Sequence, residues 1–302
     1  MSRKAQVAVG MAVFVLLLAT GGLLAGRQPV ASRHADTRTV TDMTGRRVLV
    51  PDNPARVLSL CTSATDTIVR TGAPKRLAAI DEYSLIVPGA QGAVVIGKDS
   101  AISQEQILAL RIDLAFIWWY QEDAAEMLEA LSVPVVKISS GRAEQVPEMM
   151  RLVGQCMNCP QAVENLADAV ARYLRQAPVA RGIYGPRVYL ELYGPFKTVG
   201  RDTYTNDLVE LAGGQNVAAG ASGSVLLSPE QLIQADPQVI LFANEFTTAE
   251  AIARRNGMQA VSAVQAGRIR QVERRLLVAG AGLPEAVEEL RRLLTLLPDQ
   301  GR

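Results

Sequence analysis

ISQEQILALRIDLAFI, residues 102–117, returns in altered form as LSPEQLIQADPQVILF, residues 227–242. Each copy sets a serine ahead of Glu-Gln, then an apolar turn, an aspartate and an apolar run. Ser103 and Ser228 are suited to cap a helix, Gln106 and Gln231 are spaced to reach back to the cap, and Pro229 stands where a first helical residue tolerates proline. The stripes Ile107, Leu108, Leu110 and Leu232, Ile233, Ala235 predict one short helix per copy, followed by buried strands over 114–117 and 239–242. A helix and a strand written twice predict two similar α/β halves. In each half one acid, Glu105 or Glu230, holds the second helical position on the solvated side, where the helix dipole favours a carboxylate.

The same grammar extends outward from both copies. RVLSL (56–60), RLAAI (76–80), VVIG (94–97), DLAFIW (113–118) and VPVVKI (133–138) read as strands, with helices over 63–72, 103–110 and 123–132 between them, so this half predicts a mostly parallel sheet. A long helix follows over 160–180, with Val163, Leu166, Ala167, Val170, Tyr173 and Leu174 at helical spacing. Beyond Pro186, RVYLELY, QVILFA and RIRQV read as strands, and TYTNDLVELAGG, SPEQLIQA, TTAEAIARRNGMQAVSAVQAG (interrupted at Gly257) and LPEAVEELRRLLTLL as helices. The simplest assembly is two α/β lobes joined by one long helix, with lobes over 38–160 and 183–302, a bridging helix over 161–182, and a leader over 1–37.

Composition removes several function classes. A net charge of +1 with no concentrated basic face argues against a nucleic-acid binder. The one histidine, His34, precedes the first structured element, which argues against a histidine metal site or a Ser-His-Asp triad, since both need imidazole inside the fold. No nucleophile, base and oxyanion-donor set gathers around Glu191, Asp202 or Asp207, so no enzyme is expected. Arg3 and Lys4 precede an uncharged, mostly apolar run from Val7 to Gly26 and then RQPVASRHADTRT. This reads as a signal sequence or a membrane anchor over 7–26, and either exports the rest. No cysteine directly follows the run, so a lipid-modified cysteine is not supported. Of the three cysteines, Cys156 and Cys159 in CMNC form either a small disulfide or an unpaired pair, and Cys61 is either a small buried hydrophobe or a soft ligand.

Five stretches in order, RVLSLCTSATDTIVRTGAPKRLAAID, ISQEQILALRIDLAFI, KTVGRDTYTNDLVELAGGQNV, LSPEQLIQADPQVILF and MQAVSAVQAGRIRQV, give the chain from about Val40 to Leu297 its resemblance to a known family. It resembles the substrate-binding component of ABC importers for metal chelates, which carries ferric siderophores, haem and cobalamin. The resemblance implies two lobes bridged by a rigid helix, a monomer, a metal chelate held in the cleft with no cofactor of the protein's own, and docking of one surface glutamate per lobe onto arginines of the membrane subunits. Glu105 and Glu230 match those glutamates; charge pairs of that kind steer and register a complex more than they stabilise a fold.

Cleft residues are expected at strand ends that face the other lobe. In the first half these are Cys61 and Thr62, Tyr83, Lys98, and Trp118, Trp119 and Tyr120. In the second they are Tyr193, Phe196, Lys197, Arg201, with Tyr204 beside it, Asn244, and Arg274 and Arg275 beyond RIRQV. Flat aromatic faces suit a macrocycle or catecholate, and Lys197, Arg201 and Arg275 are placed to neutralise an anionic chelate. Strand alternation sends one of Trp118 and Trp119 inward, leaving one for ligand. The competing readings are an oxyanion or free-metal capture protein of the same plan, and an anchored thiol-redox protein built on CMNC.

Overall fold

A computed structural model describes residues 36–97, 102–139, 141–177, 185–243 and 247–295. It opens with an antiparallel hairpin of β1 (Thr37–Thr41) and β2 (Arg47–Pro51), turned at Gly45 with φ +83°. Its inward side chains Val40, Val48 and Val50 join the core.

The first sheet contains β3 (Val57–Ser59), β4 (Leu77–Ile80), β5 (Val94–Val95), β6 (Leu114–Trp118) and β7 (Val135–Ile138) in the order β5-β4-β3-β6-β7, all parallel. Its strands read as near-continuous apolar runs because helices cover a parallel sheet on both faces. The helices here are α1 (Thr62–Arg70), α2 (Gln104–Leu110), α3 (Glu122–Ala130) and α4 (Val146–Cys156). Helix α5 (Pro160–Gln176) then leads towards the second sheet, with Val163, Ala167 and Val170 buried along one face. It lies close on α4 because residue 154 is glycine: a Cβ there would stand 2.6 Å from Val163 Cγ2.

The second sheet is β8 (Arg187–Glu191), β10 (Gln215–Asn216), β12 (Val239–Phe242) and β13 (Ile269–Gln271), parallel in the order β10-β8-β12-β13. A separate antiparallel pair joins β9 (Lys197–Val199) to β11 (Ser224–Leu226). Helices α6 (Tyr204–Leu211), α7 (Pro229–Ala235), α8 (Ala249–Ala253), α9 (Ser262–Gln265) and α10 (Leu283–Leu294) complete this lobe. The stretch 247–267 is more broken than its helical reading: Gly257, at φ +80°, separates α8 from a 3-10 turn at Met258–Ala260 and from α9.

The repeated phrase folds as the same unit twice. Helices α2 and α7 each have seven residues, and each ends on a left-handed residue, Arg111 at φ 51° and Asp236 at φ 43°. The caps differ. Ser228 and Gln231 exchange both bonds of a capping box, whereas Ser103 holds the cap position without a side-chain bond.

Candidate functional site

In the first sheet β3 lies between β4 and β6, and in the second β8 lies between β10 and β12. The crevice beyond the carboxyl ends of parallel strands at such a reversal is where α/β sheets hold ligands. A cavity of about 860 Å³ opens there, walled by loops from both lobes.

After β3 the lining side chains are Thr62 and Ser63. Cys61 is not among them. It caps α1 from an extended backbone, has no exposed surface, and packs in the core. Burial pushes its thiol well up, against the pull of the Ala64 and Ser63 backbone N–H groups. The reading of Cys61 as a buried hydrophobe is the one the geometry favours.

The aromatic wall follows. Tyr83 and Ile86 come from a 3-10 turn, Glu82–Ile86, whose cap Asp81 accepts a 2.9 Å bond from the Ser84 N–H. Trp118, Trp119 and Tyr120 all line the cavity. Strand alternation does not divide the tryptophans, because β6 ends at Trp118 and the chain turns: the Trp118 N–H donates to Gln121 Oε1 (2.9 Å) and the Trp119 N–H to the Ile138 carbonyl (3.0 Å). Trp118 packs its other side on the core, while Trp119 is 53% exposed and meets Tyr120 edge to face at 5.7 Å. Ser139 and Gly141, beyond β7, also line the cavity and were missed, although the strand-end rule that found Trp118 applies equally to VPVVKI.

From the second lobe come Leu192 and Tyr193 after β8, the latter at φ +62° and 71% exposed. Tyr204 opens α6 from beneath the cavity and donates its hydroxyl to the Val278 carbonyl (3.3 Å); burial, with Asp66 and Asp207 nearby, pushes that hydroxyl up. Asp202, Arg274 and Leu277–Ala279 are among the other lining residues on this side.

Four expected residues are elsewhere. Phe196 packs into the second lobe's own cluster beneath Arg255, whose guanidinium lies 5.2 Å from its ring centre. Lys197 is exposed at the start of β9, away from the lining. Arg201 turns back to the Gly220 carbonyl (2.8 Å), and Arg275 is engaged by Glu273 (2.6 Å) and Glu285 (3.1 Å). Lys98, Asn244 and the apolar run 7–26 lie outside the described residues.

Cys156 ends α4 and Cys159 caps α5, and both are free thiols. Burial pushes Cys156 up to about 12, opposite to the lowered value that makes a redox cysteine reactive. Among the described residues no group of three or more His, Cys, Asp or Glu is placed to hold a metal ion. Glu105 and Glu230 are both exposed at the second position of their helices; the backbone N–H at the start of α7 and the Ser228 hydroxyl lower the Glu230 carboxyl.

The periplasmic binding protein family matches residues 57–276. The chain belongs to that family. This periplasmic binding protein is similar to the cobalamin-binding protein of Halobacterium salinarum, 26% identical over 247 residues that cover 76% of this chain and 66% of that one. The match therefore spans just under two thirds of that relative's length. Among solved structures, the vitamin B12 binding protein BtuF of Vibrio cholerae superposes with a TM-score of 0.69 at 22% identity, over 82% of this chain and 98% of that one. The molybdate-binding MolA of Haemophilus influenzae gives 0.76 at 19% identity, over 85% and 91%. These likenesses carry the two-lobed α/β fold, and the relatives are binding proteins rather than enzymes.

Proposed function

We propose that this periplasmic binding protein is the extracytoplasmic substrate-binding component of an ABC importer and that its cargo is a metal chelate of corrinoid type. The observation that supports the reading is the cavity itself: about 860 Å³ between two lobes, with Tyr83, Trp118, Trp119 and Tyr120 along one wall. A large ring that already coordinates its metal needs stacking surface more than ligating side chains. The similarity to a cobalamin-binding protein points the same way. The lobe limits 38–160 and 183–302 about a helix over 161–182, a monomeric state, and tethering or export through residues 7–26 belong to the same proposal. So does docking on the membrane subunits through Glu105 and Glu230, which two matched helices present at equivalent places.

Tryptophan fluorescence tests the cargo, because both tryptophans line the cavity. Cyanocobalamin is expected to give a saturable change at submicromolar concentration. A response to haem or a ferric siderophore alone would move the cargo within the chelates, a response to molybdate alone would favour an oxyanion, and silence across all four in calorimetry would sink the reading. Joint Glu105→Lys and Glu230→Lys substitutions are expected to leave the titration unchanged and abolish uptake in cells; unimpaired uptake would remove the docking role.

A further inference from the structure

Among the described residues, the charges around the cavity are neutralised with one exception. Arg142, after β7, donates to both oxygens of Asp207 (3.1 and 2.9 Å) and lies 3.5 Å from Asp202. Arg201 lies 3.6 Å from Asp202, and Arg275 is held between Glu273 and Glu285. Asp202, the one carboxylate among the described lining residues, is also engaged by the Ser222 hydroxyl (3.2 Å). Arg274 differs from all of these. It opens the 3-10 turn Arg274–Leu277 beyond β13, is half-buried, and lines the cavity with no hydrogen bond or ion pair to any described residue. Its neighbour Glu273, the nearest acid in sequence, is turned to Arg275 (2.6 Å).

A half-buried arginine whose guanidinium meets no described partner gives up hydration without gaining an ion pair in return. Such a group is accounted for when its partner arrives with the ligand, and the planar fork of arginine matches a two-oxygen anion in a way that an ammonium does not. We propose that Arg274 is the specificity-determining residue of the cavity and receives an anionic oxygen group of the ligand, a phosphodiester or a carboxylate. The proposal rests on the binding-protein reading above and adds the charge of the cargo and its orientation. The ring faces the aromatic wall of the first lobe, and the anionic group points to the turn after β13 in the second.

The test compares the full chain with Arg274→Gln and Arg275→Gln, titrated with cyanocobalamin, which carries a phosphodiester, with dicyanocobinamide, the same ring without it, and with haem, which carries carboxylates. Arg274→Gln is expected to weaken the anion-bearing ligand by about ten- to a hundredfold, the range for a lost charge-assisted hydrogen bond. Dicyanocobinamide should be unaffected, and Arg275→Gln should behave as wild type. A loss confined to cyanocobalamin assigns the phosphodiester, and a loss confined to haem assigns the carboxylate. Equal affinities in wild type and Arg274→Gln, or an equal loss in Arg275→Gln, overturn the proposal. Inorganic phosphate separates this outcome from failure of the corrinoid reading. At low millimolar concentration and matched ionic strength, phosphate should raise the thermal midpoint above chloride by more in wild type and Arg275→Gln than in Arg274→Gln, whose smaller rise is the general salt stabilisation that all three share. Absence of that difference overturns the role of Arg274 even where no corrinoid binds.

Discussion

Glu191 ends β8 with no exposed surface, and its carboxylate gathers the loop that carries Tyr193 to the cavity. Oε2 accepts from the Tyr189 hydroxyl (3.0 Å), the Phe196 N–H (3.1 Å) and Arg255 Nη1, while Oε1 accepts from Arg255 Nη2 (2.8 Å). Tyr193 and Phe196 are both left-handed, at φ 62° and 61°, a conformation that costs a side-chain-bearing residue roughly 1–3 kcal/mol unless its surroundings impose it. Truncating one partner of a buried pair leaves the other charge uncompensated, so Arg255→Met is expected to cost about 3–5 kcal/mol in urea unfolding. Adding Glu191→Gln should recover much of that loss, and a double variant no more stable than Arg255→Met would show that lost packing, not the stranded charge, is responsible. None of this was legible in the sequence, where Glu191 reads only as an available carboxylate and Arg255 as one position in a helical run. The choice between Arg274 and Arg275 was closed to sequence for a similar reason. Adjacent residues on a 3-10 turn point in different directions, and only Glu273 and Glu285, brought together by the fold, decide which arginine is held away from the cavity.

At the scale of the element, the two copies of the repeated phrase separate position from energy. Ser228 caps α7 through a reciprocal box: its hydroxyl accepts the Gln231 N–H (3.2 Å) while Gln231 Oε1 accepts the Ser228 N–H (2.8 Å). Ser228→Ala is therefore expected to cost about 1 kcal/mol, a usual value for a lost cap. Ser103→Ala, which removes no side-chain cap bond, should stay within about 0.5 kcal/mol. Equal losses in thermal or urea unfolding would show that α2 is capped in solution as α7 is. The phrase was legible because a cap, a buried stripe and a short apolar strand are local signals, and the strands of both parallel sheets other than β10 were found the same way. Strands β9, β10 and β11 were not, since two or three residues such as Gln215–Asn216 are too short to show a period and are made strands by their partners. The β1–β2 hairpin was missed for a related reason: its burial alternates, but only three valines mark the inward side among polar residues.

Across the whole molecule, one buried cluster runs from Val136 and Met149 in the first lobe through Val163 and Ala167 of α5 to Leu208 and Leu290 in the second. Lobes that share a core do not hinge as separate domains joined by a linker do. Two carboxylates tie them further, one from each side. Asp207 of α6 accepts the Ala143 N–H (2.8 Å) together with Arg142. Asp66 of α1 accepts from Arg70 and from the backbone N–H of Ala281, in the loop ahead of α10. That loop comes so near because residue 280 is glycine: a Cβ there would stand 2.4 Å from Asp66 Oδ2. Burial holds the Asp66 carboxyl above its ordinary value of 3.8, with Arg70 pulling the other way. A carboxyl with a higher pKa folded than unfolded contributes stability that is full below the unfolded value and lost as pH rises through the folded one. Asp66→Asn keeps an acceptor for Ala281 but does not titrate. The difference in thermal midpoint between wild type and Asp66→Asn should therefore move in favour of wild type as pH falls from 7 towards 4. A difference that moves the other way would show the carboxylate to be the stabilised form, with Arg70 and Ala281 outweighing burial at the junction of the lobes.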